Sequence, residues 1–140
     1  MHHTKEKGDL GNIKIMADLS SQGFKILTPL SEHLPFDFVA YSEERDLLLK
    51  VQSKYATISR GVLTVSLRTS YAKKSGNVTS RYKQGSFDVL AVYCPDIDGC
   101  VYILDKDLKD LNSSVNFNLT GKTGRRYFKD YTNLSKLLEN

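Results

Sequence analysis

A carboxylate and a short polar segment stand about fifteen residues apart in the first half of the chain: Asp37 on one side, and Gln52, Ser53 and Lys54 on the other. An acidic side chain, a polar acceptor and a lysine two positions further on suit metal-dependent cleavage of phosphodiesters. The carboxylate can hold a divalent cation, while the ammonium orients a water molecule and offsets charge on a phosphate.

Two predicted strands must bring these groups together. The runs 36–41 and 46–54 are rich in residues of high β propensity, and the short polar stretch between them suits a hairpin loop. Because alternate residues of a strand face opposite sides, Gln52 and Lys54 are expected to share a face. An antiparallel hairpin would place Asp37 beside them.

A helix is predicted ahead of this hairpin, at residues 7–22, because apolar residues recur there at helical spacing. Gly23 suits a C-terminal cap of this helix. Asp9 falls near the first turn, where a carboxylate complements the helix dipole. The residues alone therefore give Asp9 a structural interpretation.

The remaining elements follow from β propensity, apolar spacing and turn residues. The strand after the hairpin is expected to continue the sheet as a meander, and Asp105 is expected to cap the first of two short helices. The predicted strands are 24–28, 62–68, 87–94 and 100–104, and the predicted helices are 105–111 and 131–138.

Composition indicates one domain spanning residues 1–140, large enough for a hydrophobic core without disulfides. Cys94 and Cys100 are too few for a zinc site and are interpreted as buried thiols, with a disulfide as the alternative. The chain has no apolar run of the ~18 residues that a membrane helix needs, and no secretory signal. We therefore expect a cytoplasmic, nucleoid-associated protein without a membrane partner.

The net charge of +4 is unevenly distributed, because residues 47–87 contain lysines and arginines but no acidic residue. A segment of one sign is typical of a polyanion-binding surface, although a solvated basic surface is the alternative. Segment 69–86 is predicted to be a DNA-contacting hairpin or loop, and 113–140 a C-terminal extension with a second phosphate-contacting arm. The candidate DNA-binding residues are Arg60, Arg68, Tyr71, Lys73, Lys74, Asn77, Arg81, Lys83, Gln84, Arg125 and Arg126.

The sequence resembles the PD-(D/E)XK nucleases and, among them, the homing endonucleases of cyanobacterial transfer-RNA group I introns. Gln52 stands where most of the superfamily has Glu or Asp, although the homing endonucleases that the sequence resembles also have Gln there. Much of the superfamily has a Glu one turn after Asp9, where this chain has Asn12. The matching stretches, which cover most of residues 5–110, are Lys7-Gly8-Asp9, 26–30, 36–39, 48–54, Tyr82 and 87–93.

This resemblance implies an α/β (α+β) fold with a restriction-endonuclease-like core, in which helices flank a mixed β-sheet. It implies that Asp37, Gln52, Lys54 and Asp9 are catalytic, with Mg²⁺ or Mn²⁺ as cofactor. The expected metal ligands are Asp37, Gln52, Asp9 and the main-chain carbonyl of Ser53. The expected products carry a 5′-phosphate and a 3′-hydroxyl, and the expected partners are double-stranded DNA and further copies of the chain in a homodimer or homotetramer.

Three functions remain open from the sequence. The first is a sequence-specific double-strand DNA endonuclease of the homing type. The second is a structure-specific nuclease of the Holliday junction resolvase type, which needs basic surface more than base-reading side chains. The third is a DNA-binding protein whose catalytic site has decayed, because Gln52 and Asn12 are neutral where acids are usual.

Overall fold

The fold is built from a long N-terminal helix, short strands and a short C-terminal helix. The computed structural model describes residues 4–73, 76–80, 83–109, 111, 113–121 and 126–139. Two 3₁₀ turns lie at Asp105–Asp107 and Phe128–Tyr131. In chain order the elements are α1 (Thr4–Ser21), β1 (Lys25–Leu27), β2 (Phe38–Ser42), β3 (Leu47–Tyr55), β4 (Ile58–Ser59), β5 (Val62–Ser66), β6 (Thr69–Lys73), β7 (Gly76–Ser80), β8 (Val89–Cys94), β9 (Gly99–Leu104), β10 (Ser114–Asn118) and α2 (Leu134–Leu138).

Helix α1 begins three residues earlier than predicted, which changes the position of Asp9. Asp9, which was expected near the first turn, lies in the second turn, and Glu6 is the acid of the first turn. The helix ends as predicted, because Gly23 adopts a φ of 96° that glycine tolerates. The Phe24 N–H then donates to the Leu19 carbonyl at 3.1 Å and closes the last turn.

Five strands form the main sheet in the order β1-β2-β3-β8-β9. The predicted hairpin is present, because β2 and β3 pair antiparallel with Phe38 opposite Val51. Strand β3 also pairs with β8, and this pairing is parallel, with Val51 opposite Val89. The sheet is therefore mixed, as predicted, and β3 is its central strand.

The two faces of the main sheet are covered by different layers. Alternate residues of β8 face opposite sides, and all six are buried. Val89, Ala91 and Tyr93 join the core that contains α1 and Leu134 of α2. The other three residues of β8 join a second core, which contains β5 and β10. Both helices thus cover one face, and a second sheet covers the other.

The second sheet has the order β10-β5-β4, and it corrects the prediction that segment 62–68 continues the main sheet. Val65 of β5 instead lies opposite Val115 of β10. Apolar alternation shows which face of a strand is buried but does not identify its partner. Strand β10 lies in the segment 113–140, which was predicted to be a C-terminal extension, and its Val115 and Phe117 are buried in the second core.

The predicted helix at 105–111 is reduced to the 3₁₀ turn Asp105–Asp107, and Asp105 is not its N-cap. The N-cap is Leu104, which makes no side-chain capping bond. The carboxylate of Asp105 instead accepts a hydrogen bond from the Gly85 N–H at 3.2 Å. Burial raises the pKa of Asp105, and this hydrogen bond partly opposes that effect.

Gln22 links the end of α1 to the start of α2. Its amide nitrogen donates to Asp18 at 2.9 Å and to the carbonyl of Thr132 at 3.1 Å. Its amide oxygen accepts from the N–H of buried Leu134 at 2.9 Å. These bonds hold the C-terminal helix against the N-terminal one.

A long connection, residues 56–88, separates the parallel strands β3 and β8. It contains β4, β5 and the antiparallel pair β6–β7. Asp88 fixes its end, because its carboxylate accepts from the Lys50 N–H at 2.8 Å and its own N–H donates to the Lys50 carbonyl at 2.9 Å. The connection thus leaves and rejoins the sheet at β3.

Two further predictions concern the cysteines and membrane-spanning helices. Cys94 and Cys100 are buried free thiols, as predicted. No helix in the described part of the chain is long and apolar enough to cross a membrane.

Candidate active site

A pocket of about 250 Å³ lies where α1 passes the end of the β2–β3 hairpin. It gathers two carboxylates, one amide, two hydroxyl-bearing residues and one lysine. Four of the predicted site residues, Asp9, Asp37, Ser53 and Lys54, therefore lie at one place. The lining residues are Gly8, Asp9, Asn12, Asp37, Ser53, Lys54 and Tyr55.

Asp37 is held at the start of β2 by main-chain and side-chain bonds. Its N–H donates to the Val51 carbonyl at 2.8 Å, which extends the β2–β3 ladder by one residue. Its Oδ2 accepts from the Ser53 N–H at 2.8 Å and from Ser53 Oγ at 3.0 Å. The carboxylate is exposed to solvent but is fixed by these bonds to β3.

Helix α1 approaches β3 closely at this pocket. A Cβ on Gly11 would lie 3.5 Å from Tyr55 Cβ and 3.7 Å from the Lys54 carbonyl oxygen. On the same helix Asn12 Oδ1 lies 3.0 Å from Ser53 Oγ. The sequence identified Asn12 only as a departure from the superfamily pattern. Its spacing of four residues from Gly8, which places both on one helical face, is the signal that could have found it.

Lys54 is the cation of the pocket. Burial lowers the pKa of its ammonium, and the nearby charge of Asp37 opposes part of that shift. A lysine with a lowered pKa exchanges its proton more readily near neutral pH. The pocket therefore places a cation that can also act in proton transfer beside a carboxylate.

Gln52 does not line this pocket, although it was predicted to be a metal ligand. It is half-buried on β3 and shares a face with Lys54 by strand alternation, whereas the adjacent Ser53 faces the other way. Its role in catalysis stays a prediction.

The donor set of the pocket fits a hard divalent cation. Asp9 and Asp37 offer carboxylates, and Asn12 and the Ser53 main chain offer neutral oxygens. Mg²⁺ is commonly held by one or two carboxylates and keeps several waters. Among the described residues, no group of three or more His, Cys, Asp and Glu could hold a metal, which agrees with a site of only two carboxylates.

The predicted DNA-binding residues lie mostly in the connection between β3 and β8. Arg60 is in the turn between β4 and β5, and Arg68 follows β5; both are exposed, as are Lys83 and Gln84 in the turn before β8. Tyr71 and Lys73 lie on β6, and Asn77 lies on β7. Arg126 is half-buried beside β10, where its carbonyl accepts from the Asn118 N–H. Lys74, Arg81 and Arg125 lie outside the described residues.

Comparison with known proteins agrees with this geometry. The model of the PD-(D/E)XK endonuclease family matches residues 2–134. The chain belongs to the PD-(D/E)XK endonuclease family. Membership makes the chain a nuclease and confirms the family resemblance inferred from its sequence.

A solved structure shows the fold of this PD-(D/E)XK endonuclease. The bacterial homing endonuclease I-Ssp6803I superposes with a TM-score of 0.79, over 98% of this chain and 93% of that chain, at 21% sequence identity. This likeness confirms the predicted fold. The search of curated proteins found no match to the sequence.

Proposed function

We propose that this PD-(D/E)XK endonuclease is a metal-dependent, sequence-specific double-strand DNA endonuclease of the homing type. The observation that carries the proposal is the pocket that gathers Asp9, Asp37, Ser53 and Lys54 between α1 and the β2–β3 hairpin. The similarity in fold to a bacterial homing endonuclease supports the choice of this type within the family.

Each residue of the pocket has a proposed role in phosphodiester hydrolysis. Asp37, together with Asp9 and the Ser53 carbonyl, would hold Mg²⁺ or Mn²⁺. A divalent ion at such a site lowers the pKa of water and neutralises charge on the phosphate. Lys54 orients the attacking water, or takes its proton, through Nζ. A bond from the water oxygen to phosphorus forms and the bond to the 3′-oxygen breaks, which leaves a 5′-phosphate and a 3′-hydroxyl.

DNA recognition is proposed for the connection between β3 and β8. The chain has no acidic residue from position 47 to 87, and Arg60, Arg68 and Lys83, which are exposed in the connection, suit phosphate contacts. The β6–β7 hairpin carries hydrogen-bonding side-chain types suited to base edges.

A homodimer or homotetramer is proposed because one chain of 140 residues cannot span a long target. An assembly with rotational symmetry would present two pockets to the two strands of a duplex. Sedimentation of the free protein and of its DNA complex measures the number of copies. Association with the nucleoid would follow from non-specific binding to DNA phosphates.

Cleavage of pooled random-sequence duplexes in Mg²⁺ or Mn²⁺ tests the proposed function. The wild type is compared with Lys54→Ala and with Lys25→Ala, a matched control that removes an exposed lysine of β1. We expect discrete cuts at a recurring long motif from the wild type and the control, and none from Lys54→Ala. A four-way junction of unrelated sequence serves as a second substrate.

Three results would contradict the proposal in different ways. Preferred cutting of the junction would favour the resolvase alternative. Tight duplex binding without cutting by any variant would favour a decayed site. Cutting that is unchanged by Lys54→Ala would place the chemistry elsewhere in the chain.

A further inference from the structure

Ser53 makes three contacts in the pocket, and the two made by its side chain are not required by any of the proposed roles. Its N–H and its Oγ both reach Oδ2 of Asp37, at 2.8 and 3.0 Å, and Oγ also lies 3.0 Å from Asn12 Oδ1. The hydroxyl therefore joins helix α1 to the carboxylate that precedes β2.

The direction of these bonds follows from the number of protons. A hydroxyl has one proton and can donate to only one of the two oxygens. The Asp37 carboxylate is the stronger acceptor, so Ser53 donates to it. Asn12 Oδ1, at 3.0 Å, is the second acceptor within reach of the same hydroxyl. The Ser53 hydroxyl therefore lies between an amide oxygen of α1 and the Asp37 carboxylate.

The two bonds from Ser53 fix one oxygen of the carboxylate. The hydrogen bonds that the described residues make to the Asp37 side chain end on Oδ2, which leaves Oδ1 open to a ligand. Without the Ser53 hydroxyl, the main-chain N–H of Ser53 would be the remaining donor to Oδ2 among the described residues, and the carboxylate could rotate about this one hydrogen bond.

We propose that Ser53 is a positioning residue, whose hydroxyl connects Asn12 to Asp37 and holds Asp37 Oδ1 toward a bound divalent cation. This inference rests on the proposed function of the same pocket. It concerns the side chain alone and is separate from the proposed role of the Ser53 main-chain carbonyl, which every substitution at this position retains.

Binding of Mn²⁺ to the DNA-free protein, measured by the electron paramagnetic resonance signal of unbound Mn²⁺, tests the inference. The variants are Ser53→Ala, Ser53→Thr, which keeps a hydroxyl, and Asp37→Asn. Ser114→Ala is the matched control, because Ser114 is also a half-buried strand serine but lies in the second sheet. Thermal unfolding of each variant confirms that it is folded.

We expect Ser53→Ala to weaken Mn²⁺ binding by about ten- to a hundredfold, the usual effect of losing a group that orients a metal ligand. Ser53→Thr should restore binding to within about threefold of wild type, because its hydroxyl can make the same bond. Saturating Mn²⁺ should recover most of the cutting by Ser53→Ala, because the chemical groups of the pocket remain.

The controls separate failure of this inference from failure of the proposed function. If the wild type binds Mn²⁺ and cuts DNA, Asp37→Asn does neither, and Ser53→Ala matches the wild type, the positioning role is wrong while the function stands. If Ser53→Thr binds as weakly as Ser53→Ala, the hydroxyl is not the operative group. If the wild type neither binds Mn²⁺ nor cuts, the proposed function is overturned, and this inference with it.

Discussion

Replacement of Gly8 by alanine should stabilise the protein and impair cutting at the same time. Gly8 lies inside α1 and lines the pocket, and a Cβ added there would meet no atom within 4 Å. Alanine is favoured over glycine in a helix by ~0.9 kcal/mol, and no steric cost opposes this gain. With the unfolding entropy of a chain of 140 residues, this gain raises the melting temperature by about 3 °C.

The added methyl group would also occupy space in a pocket of only about 250 Å³. In the proposed reaction a phosphodiester comes close to Asp37 and Lys54 there, and a displacement of about 1 Å can cost up to a hundredfold in rate. We therefore expect the rate of DNA cutting to fall by at least about tenfold. Differential scanning calorimetry and single-turnover cleavage measure the two effects on the same preparation.

Ser20→Ala is the matched control, because Ser20 is exposed near the end of α1 and does not line the pocket. It should raise the melting temperature by about 2 °C without changing the rate of cutting. A Gly8→Ala protein that melts higher and cuts at the wild-type rate would refute the idea that the substrate needs this space. A lower melting temperature would refute the steric reasoning itself.

Three further predictions concern stability and reactivity. Lys54→Met should raise the free energy of unfolding at about pH 7, since burial of a charged ammonium opposes folding, while it abolishes cutting. This advantage should shrink as pH rises from the lowered pKa toward the ordinary value of 10.5, because the folded wild type loses the Lys54 proton in this range before the unfolded chain does. Urea unfolding at about pH 7 and pH 9.5 measures the difference in free energy of unfolding. Gln22→Ala should lower the free energy of unfolding by about 2–3 kcal/mol in urea, because it leaves the N–H of buried Leu134 without its partner, and a loss under ~0.5 kcal/mol would contradict that view. Burial raises the pKa of the Cys100 thiol to about 12 and also raises that of Cys94, so iodoacetamide should modify neither thiol in the folded protein; mass spectrometry detects any modification.

The elements that position the site could be predicted because their signals are local. The β2–β3 hairpin follows from two runs of high β propensity around a polar turn, and the end of α1 follows from Gly23. The order of Asp37, Ser53 and Lys54 along this hairpin then suffices to place them at one end of the sheet.

The partners of the later strands could not be predicted, because strand pairing depends on residues far apart in sequence. Alternation identified β5 as a strand with one buried face but did not indicate β10 as its neighbour. Asp105 was a reasonable helix cap by residue type, yet the Gly85 N–H, twenty residues away, competes for its carboxylate.

Contacts between side chains within the site were equally hidden. Strand alternation places Gln52 and Lys54 on one face, which favoured Gln52 as a site residue and gave no reason to consider the hydroxyl of Ser53. In the structure it is Ser53 and not Gln52 that lines the pocket, because α1 approaches β3 closely and brings Asn12 within hydrogen-bond distance of Ser53.

The parallel pairing of β3 with β8 gives this nuclease a particular freedom in evolution. Residues 56–88 leave β3 and return beside it, with both ends anchored on the same strand. Doubling the length of such a connection costs only ~0.6 kcal/mol in closure entropy, and it need not shift the register of the strands that it joins. Changes in the length of this segment can therefore accumulate in evolution while the Asp37–Lys54 hairpin keeps its register.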